Sequence, residues 1–231
     1  MKKKIYYWSP CLNPVGTIIS TINSVSSVNQ YSQKHQAYLI NSCGEWNQYL
    51  DHLEKNSIKV INLTFDYFKY LPKRGFWSSR FSYLVIFLIS FLPLLFLLKK
   101  EKPQTIIIHL ITSLPLTLLN FFKFKTEFIL RISGHPHLNL LRKFLWKNLE
   151  KKIKLITCPT KDLRDKIIFD KIFNKEKIRF LPDAILSSKK IITSRIDNLE
   201  NIEITDKKKM ILSVGRLTKQ KNFSLLINFF K

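Results

Sequence analysis

Short apolar runs alternate with stretches of helical spacing from Ile5 to Leu181. The runs are short, rich in β-branched and aromatic residues, and typical of buried strands: Ile5–Ser9, Ala37–Ile40, Val60–Leu63, Thr105–Leu110, Glu127–Arg131, Leu155–Cys158 and Ile178–Leu181. The intervening apolar periodicity predicts these helices: Thr17–Tyr31, Trp46–Lys55, Ser113–Phe122, Leu140–Leu149 and Lys161–Phe169. Strands that alternate with helices at this spacing predict an α/β domain with a doubly wound parallel sheet.

The longest apolar run extends from Phe81 to Leu98 and is followed by lysines. Eighteen helical residues span about 27 Å, which is just short of a hydrocarbon core. Three interpretations fit this run: a transmembrane helix, a core helix, or a helix that packs on the sheet and also dips into a membrane interface. We favour the third, because a span would divide one sheet across a bilayer, and we predict Trp77, Phe87 and Phe91 as membrane-facing residues.

The end of the chain has the pattern of an anion site. The apolar run Met210–Val214 predicts a strand, Gly215 a tight turn, and Phe223–Phe230 a helix. Arg216 and Lys221 add two cations to the turn. Free N–H groups and the dipole at a helix N-terminus favour phosphate, and a solvated basic loop is the alternative.

The segment from Val214 to Lys221 resembles the "GRL…K" motif that opens the second domain of family 4 glycosyltransferases, which have the GT-B fold. The resemblance implies that Gly215, Arg216 and Lys221 bind the donor diphosphate, and Asn222 departs from the usual glycine. It further implies an acceptor-side domain over 1–186, a linker over 187–208, and an incomplete donor-binding domain over 209–231. A chain truncated in this way is expected to transfer little or no sugar.

The same resemblance implies a retaining hexosyltransferase that moves sugar from a nucleotide-sugar to a lipid-linked or polysaccharide acceptor. Gly16 corresponds to the acceptor-side loop, and His135, in Ser133-Gly-His-Pro, to a histidine near the transferred sugar. His109, within an isoleucine-rich strand, is predicted to be a hydrogen-bonded core residue. No cofactor and no metal are expected, since GT-B enzymes neutralise the leaving diphosphate with cations and helix dipoles.

The formal net charge of +23 suggests an anionic partner: nucleic acid, an anionic membrane surface or a phosphorylated substrate. Lysines spread along the whole chain argue against nucleic acid, which needs a basic face with stacking aromatics. Three scattered cysteines without metal spacing predict a reducing compartment. We therefore expect a cytoplasmic protein, peripheral on the inner face of the cell membrane, and the alternative is a non-catalytic membrane-surface binding module.

Overall fold

The computed structural model describes residues 2–13, 16–73, 75–136, 139–184, 192, 211–215 and 222–230. The chain divides into two compact units, Met1–Ser187 and Ser188–Lys231. The first unit holds the sheet and all its helices, and it carries the pocket described below.

The sheet of the first unit has seven strands, all paired in parallel. They are β1 (Lys3–Trp8), β2 (His35–Asn41), β3 (Lys59–Asn62), β4 (Thr105–Ile108), β5 (Glu127–Arg131), β6 (Ile153–Cys158) and β7 (Ile178–Phe180). Their order in the sheet is β3-β2-β1-β4-β5-β6-β7. The chain therefore winds outward in one direction from β1 and in the other from β4, which confirms the predicted doubly wound sheet.

Helices connect the strands: α1 (Gly16–Tyr31), α2 (Leu50–Lys55), α3 (Phe76–Glu101), α4 (Ser113–Phe121), α5 (Leu140–Leu149) and α6 (Lys161–Phe169). Short 3₁₀ turns lie at Asn47–Tyr49, Phe68–Tyr70 and Lys175–Lys177. Side-chain caps fix two of the helix starts, because Asn139 accepts from the Arg142 amide and Thr160 from the Leu163 amide. In the second unit α7 (Phe223–Phe229) forms as predicted.

Successive side chains of the central strands point to opposite faces of the sheet, and both faces are covered. Tyr6 and Ile106 belong to a core cluster that also contains residues of α3, α4 and α6. Tyr7 and Leu39 belong to a second cluster on α1 and α2. Parallel strands buried on both faces need apolar residues at every position, which explains the continuous runs in the sequence.

The helix α3 packs along its whole length yet leaves one face open. Leu94, Leu95 and Leu98 join the main core cluster, while Ile86 joins a smaller cluster near the other end of the helix. The helix is long and apolar enough to cross a bilayer, but a third of its most apolar window is buried inside the fold. Since β3 and β4, which precede and follow α3 in the chain, lie in one sheet, a helix that crossed a bilayer would have to divide this sheet.

Three local predictions need correction. Helix α1 begins at Gly16, one residue before its predicted start at Thr17. Strand β4 ends at Ile108, which places His109 in the loop beyond it. Residues 211–214 of the predicted strand Met210–Val214 are not in a strand, and Met210 lies outside the described residues.

Candidate functional site

A pocket of about 510 Å³ opens beyond the carboxyl ends of β4 and β5. It lies next to the point between β1 and β4 where the strand order reverses, the usual position of ligands in open α/β sheets. We call it the carboxyl-edge pocket. Its described lining is Tyr83, His109, Leu110, Ile111, Thr112, Ser113, Arg131, Ile132, Ser133, Gly134, Pro136, Arg142, Leu145 and Trp146.

His109 is the first residue after β4 and is only 3% exposed. Neither of its ring nitrogens has a hydrogen-bond partner in the described structure. Burial, together with the nearby Arg131 cation, lowers the pKa of His109 from 6.5 to about 3. The imidazole is therefore neutral at physiological pH, with one nitrogen able to donate and the other able to accept. The sequence prediction of a buried histidine is confirmed, whereas the prediction that it is hydrogen-bonded is wrong.

Arg131, the last residue of β5, is the other buried polar group of the pocket. Its Nη2 donates to Asp183 Oδ1 at 2.5 Å, and Ser20 Oγ donates to the same oxygen at 2.8 Å. Its Nη1 is buried and has no described partner. A guanidinium carries five N–H donors in a fixed fork, so the ion pair leaves part of its donor capacity unused.

The charge of the carboxyl-edge pocket is positive. Arg131 and Arg142 both belong to its described lining, which contains no Asp or Glu. The N-terminus of α4 also meets the pocket through Thr112 and Ser113, and Thr112 makes no side-chain cap there. Because the positive end of a helix dipole adds to the two cations, the pocket favours an anionic or strongly polar ligand.

The loop between β4 and α4 has a strained backbone where it lines the pocket. Ile111 adopts a φ of 50°, in the left-handed region that β-branched residues rarely occupy. The buried Trp8 side chain donates from Nε1 to the Ile111 carbonyl oxygen at 3.0 Å and helps to hold this conformation. Strain retained by surrounding contacts is commonly found at ligand sites.

The predicted site residues of the first unit do not all meet in this pocket. His135 is half-exposed, and its Nε2 lies 3.2 Å from Asp170 Oδ2, outside the described lining. Gly16 begins α1, and no atom lies within 4 Å of where a Cβ would stand. The pocket instead uses Ser133, Gly134 and Pro136, the neighbours of His135 in the same loop.

The predicted diphosphate-binding residues belong to the second unit. Gly215 is described and exposed, while Arg216 and Lys221 lie outside the described residues. Among the residues that the structure describes, no group of three or more His, Cys, Asp and Glu could hold a metal ion. Cys11, Cys43 and Cys158 are free and buried.

The residues predicted to face a membrane differ in their exposure. Trp77 is 80% exposed, but Phe87 and Phe91 are half-buried and pack against the main core cluster. One helical face instead presents these exposed apolar side chains, which we call the α3 face: Trp77, Phe81, Leu84, Leu88, Leu92 and Phe96. Their spacing of three and four residues gives a single stripe, and the sequence could not assign it because nearly every position of this helix is apolar.

Arg131 is the functional candidate that the sequence analysis missed. It ends a strand whose other central residues, Phe128 and Leu130, are buried core. A cation at the carboxyl end of a central parallel strand is a signal in itself, because Arg is almost never buried without a partner. Its partner, Asp183, is 52 residues away in sequence, so no local pattern could pair the two.

No protein-family model matches this sequence, and none of the curated proteins matches it. Among solved structures, a UDP-N-acetylglucosamine 2-epimerase superposes with a TM-score of 0.56 at 14% identity, covering 80% of this chain and 49% of that one. The UDP-GlcNAc 2-epimerase of Neisseria meningitidis, bound to UDP-GlcNAc, gives 0.55 at 12% identity, with 85% and 50% covered. The calicheamicin glycosyltransferase CalG4 gives 0.50 at 11% identity, with 79% and 52% covered.

The chain spans about half the length of these solved structures. At sequence identities this low, the structural likeness to these proteins establishes the fold alone. The first unit therefore has the Rossmann-like fold of GT-B proteins, a seven-stranded parallel sheet covered by helices on both faces.

Proposed function

We propose that this protein is a glycosyltransferase that moves a sugar from a nucleotide-sugar to a lipid-linked or polysaccharide acceptor. The observation that carries the proposal is the carboxyl-edge pocket, with unpartnered polar groups of Arg131 and His109 at the switch point of a GT-B sheet. A solved structure of the same fold holds UDP-GlcNAc, which supports a nucleotide-sugar as the substrate. Hexosyl transfer with retention of configuration follows the family 4 resemblance.

The donor diphosphate is assigned to the second unit, at Gly215, Arg216 and Lys221. When the bond between the sugar and the diphosphate breaks, negative charge develops on the leaving oxygen. A guanidinium can bind a phosphate through two hydrogen bonds, and an ammonium adds a point charge. These groups would stabilise the leaving group electrostatically, without a resident metal ion. His135 remains the proposed contact to the transferred sugar.

The α3 face supports a location at the cytoplasmic face of an anionic membrane. Six large apolar side chains in one exposed stripe exceed what a surface helix usually presents to water. Lys99 and Lys100, both exposed, follow the stripe at the end of the helix. Apolar insertion together with cations near the headgroups is the combination that holds interfacial helices at a bilayer.

A nucleotide-sugar epimerase is the second candidate, because two of the superposed structures have that activity. Inversion at a sugar carbon needs a group that removes and returns a proton. The described lining of the carboxyl-edge pocket offers no carboxylate, and burial keeps His109 a weak base. The pocket therefore suits the binding of a polar substrate better than proton abstraction.

Proton NMR of UDP- and GDP-sugars incubated with the protein, as its gene encodes it, separates these functions. We expect loss of the donor's anomeric signal and release of nucleoside diphosphate only when an acceptor is present. Formation of an epimeric nucleotide-sugar without acceptor would favour the second candidate. Absence of both reactions, with retained vesicle binding, would favour a non-catalytic membrane-surface module.

A further inference from the structure

We propose that Arg131, His109 and the N-terminus of α4 form a binding site for an oxyanion, a phosphate or carboxylate, carried by the acceptor. The acceptor role rests on the function proposed above, whereas the oxyanion site rests on the geometry of the first unit. Unpartnered donors, the charge of the pocket and its position beside the α3 face support this site.

The first observation is that buried hydrogen-bonding groups in the pocket have no partner, although burying such a group without a partner costs free energy. Arg131 and His109 are 7% and 3% exposed, and both line the carboxyl-edge pocket. Arg131 Nη1 and both His109 ring nitrogens have no hydrogen-bond partner in the described structure. Buried polar groups are nearly always paired, so the free Nη1 of Arg131 and the single N–H of the neutral His109 ring point to a ligand that pairs them.

The second observation is the sign of the charge. Asp183 pairs with Nη2 of Arg131 and balances that cation, and it lines a neighbouring pocket that Arg131 and His109 also line. Arg142 adds a further positive charge to the carboxyl-edge pocket, and the N-terminus of α4 adds a partial one. An oxyanion accepts from all of these donors, whereas a neutral sugar hydroxyl would leave most of the charge unused.

The third observation is the opening beside α3. Tyr83 lines the carboxyl-edge pocket and belongs to α3, one residue from Leu84 of the α3 face. An amphiphilic acceptor could place its oxyanion against Arg131 while its apolar chain follows the helix. A soluble sugar phosphate or uronic acid presents the same oxyanion without the chain, and the experiment must distinguish the two sources.

The test is calorimetric titration of the chain with inorganic phosphate, glucuronate and UDP. We expect phosphate to bind, and Arg131→Gln to weaken it by roughly ten- to hundredfold, the value of one charge-assisted hydrogen bond. Arg142→Gln, on the exposed rim, should weaken it several-fold without disturbing the core. The matched control Lys123→Gln removes the same charge at an exposed position outside the pocket and should change affinity less than twofold.

Circular dichroism of each variant separates lost binding from lost folding. If Arg131→Gln fails to fold, the phosphate affinities of Arg142→Gln and His109→Gln are measured instead. Phosphate affinity unchanged in all folded pocket variants would overturn the site. Displacement of phosphate by UDP at equal concentration would overturn the assignment of this site to the acceptor, since the site would then bind the nucleotide of the donor.

Vesicles distinguish the sources of the oxyanion. If binding to phosphatidate vesicles falls with Arg131→Gln while binding to phosphatidylglycerol vesicles does not, the oxyanion is a lipid monoester. If only soluble phosphate and glucuronate depend on Arg131, it belongs to a soluble or polymeric saccharide. Both outcomes support an acceptor oxyanion, whereas dependence of neither kind of ligand on Arg131 would contradict it. Phosphate binding without any sugar transfer would refute the proposed function but would still support the oxyanion site.

Discussion

Replacing two leucines of the α3 face should release the protein from membranes without unfolding it. Leu88 and Leu92 are 63% and 55% exposed, one helical turn apart on the stripe. Full burial of a leucine side chain is worth about 1.5–3 kcal/mol, so placing the exposed half of each in lipid contributes about 0.8–1.5 kcal/mol. The double variant Leu88→Gln/Leu92→Gln should therefore lose about 1.5–3 kcal/mol, which is roughly ten- to hundredfold in partitioning. Gln keeps the helix intact because its helix propensity is close to that of Leu.

The assay is flotation of the protein with phosphatidylglycerol vesicles across a lipid titration. The matched control is Ile19→Gln/Phe169→Gln, which removes two exposed apolar side chains, 46% and 82% exposed, from α1 and α6. We expect the control to bind like the unmodified protein, and alkaline wash to release both. Binding unchanged by the α3 substitutions, or resistance to salt and alkaline wash together, would refute the interfacial interpretation.

The half-buried phenylalanines of α3 make a useful contrast. Phe87 and Phe91 pack against the main core cluster and contact each other with ring centroids 5.9 Å apart. Substitution of either by Asp would place a charge in the core, so any loss of membrane binding would reflect unfolding. This is why the α3 face, and not the sequence-based choice, defines the experiment.

Three further predictions concern the site residues. Asp183→Asn should lower the free energy of unfolding by about 1–3 kcal/mol in urea titrations, because it leaves the buried Arg131 cation without its charged partner; an unchanged midpoint would show that the pair contributes nothing. Between pH 6.5 and about 3 the unfolded state binds a proton at His109 that the folded state excludes. The free energy of unfolding should therefore decrease by up to about 1.4 kcal/mol for each pH unit of acidification. His109→Asn should lessen this pH dependence, and an NMR titration that shows His109 titrating near pH 6.5 would contradict the prediction. In the protein as its gene encodes it, Arg216→Ala and Lys221→Ala should each weaken nucleotide-sugar affinity by roughly ten- to hundredfold in calorimetry, and unchanged affinity would contradict the diphosphate assignment.

The sheet could be predicted from the sequence because its information is local. Each strand is a short apolar run, and each helix carries its own periodicity, so β1 to β7 appear in order without knowledge of long-range contacts. The predicted ends of the strands were off by up to two residues. That small error matters at β4, since ending at Ile108 moves His109 from the strand into the pocket loop.

The site could be predicted only in part, because its pairing is not local. The sequence places candidate histidines in the loops after β4 and β5; His109 lines the pocket, whereas the His135 side chain meets Asp170 outside the described lining. Arg131 becomes visible only when β5 is placed beside β4 and the chain after β7 brings Asp183 back to it. Which face of α3 is buried is likewise set by packing, because the helix carries apolar residues on all of its faces and its sequence therefore does not distinguish them.

Hydrogen–deuterium exchange of the protein, with and without UDP-sugar and an anionic acceptor, tests most directly whether substrates bind at the carboxyl edge of the sheet. We expect slower exchange at residues 109–113 and 132–136, and loss of that protection in Arg131→Gln. Protection confined to other segments, under conditions where the ligands bind, would contradict the placement of the functional site in this pocket.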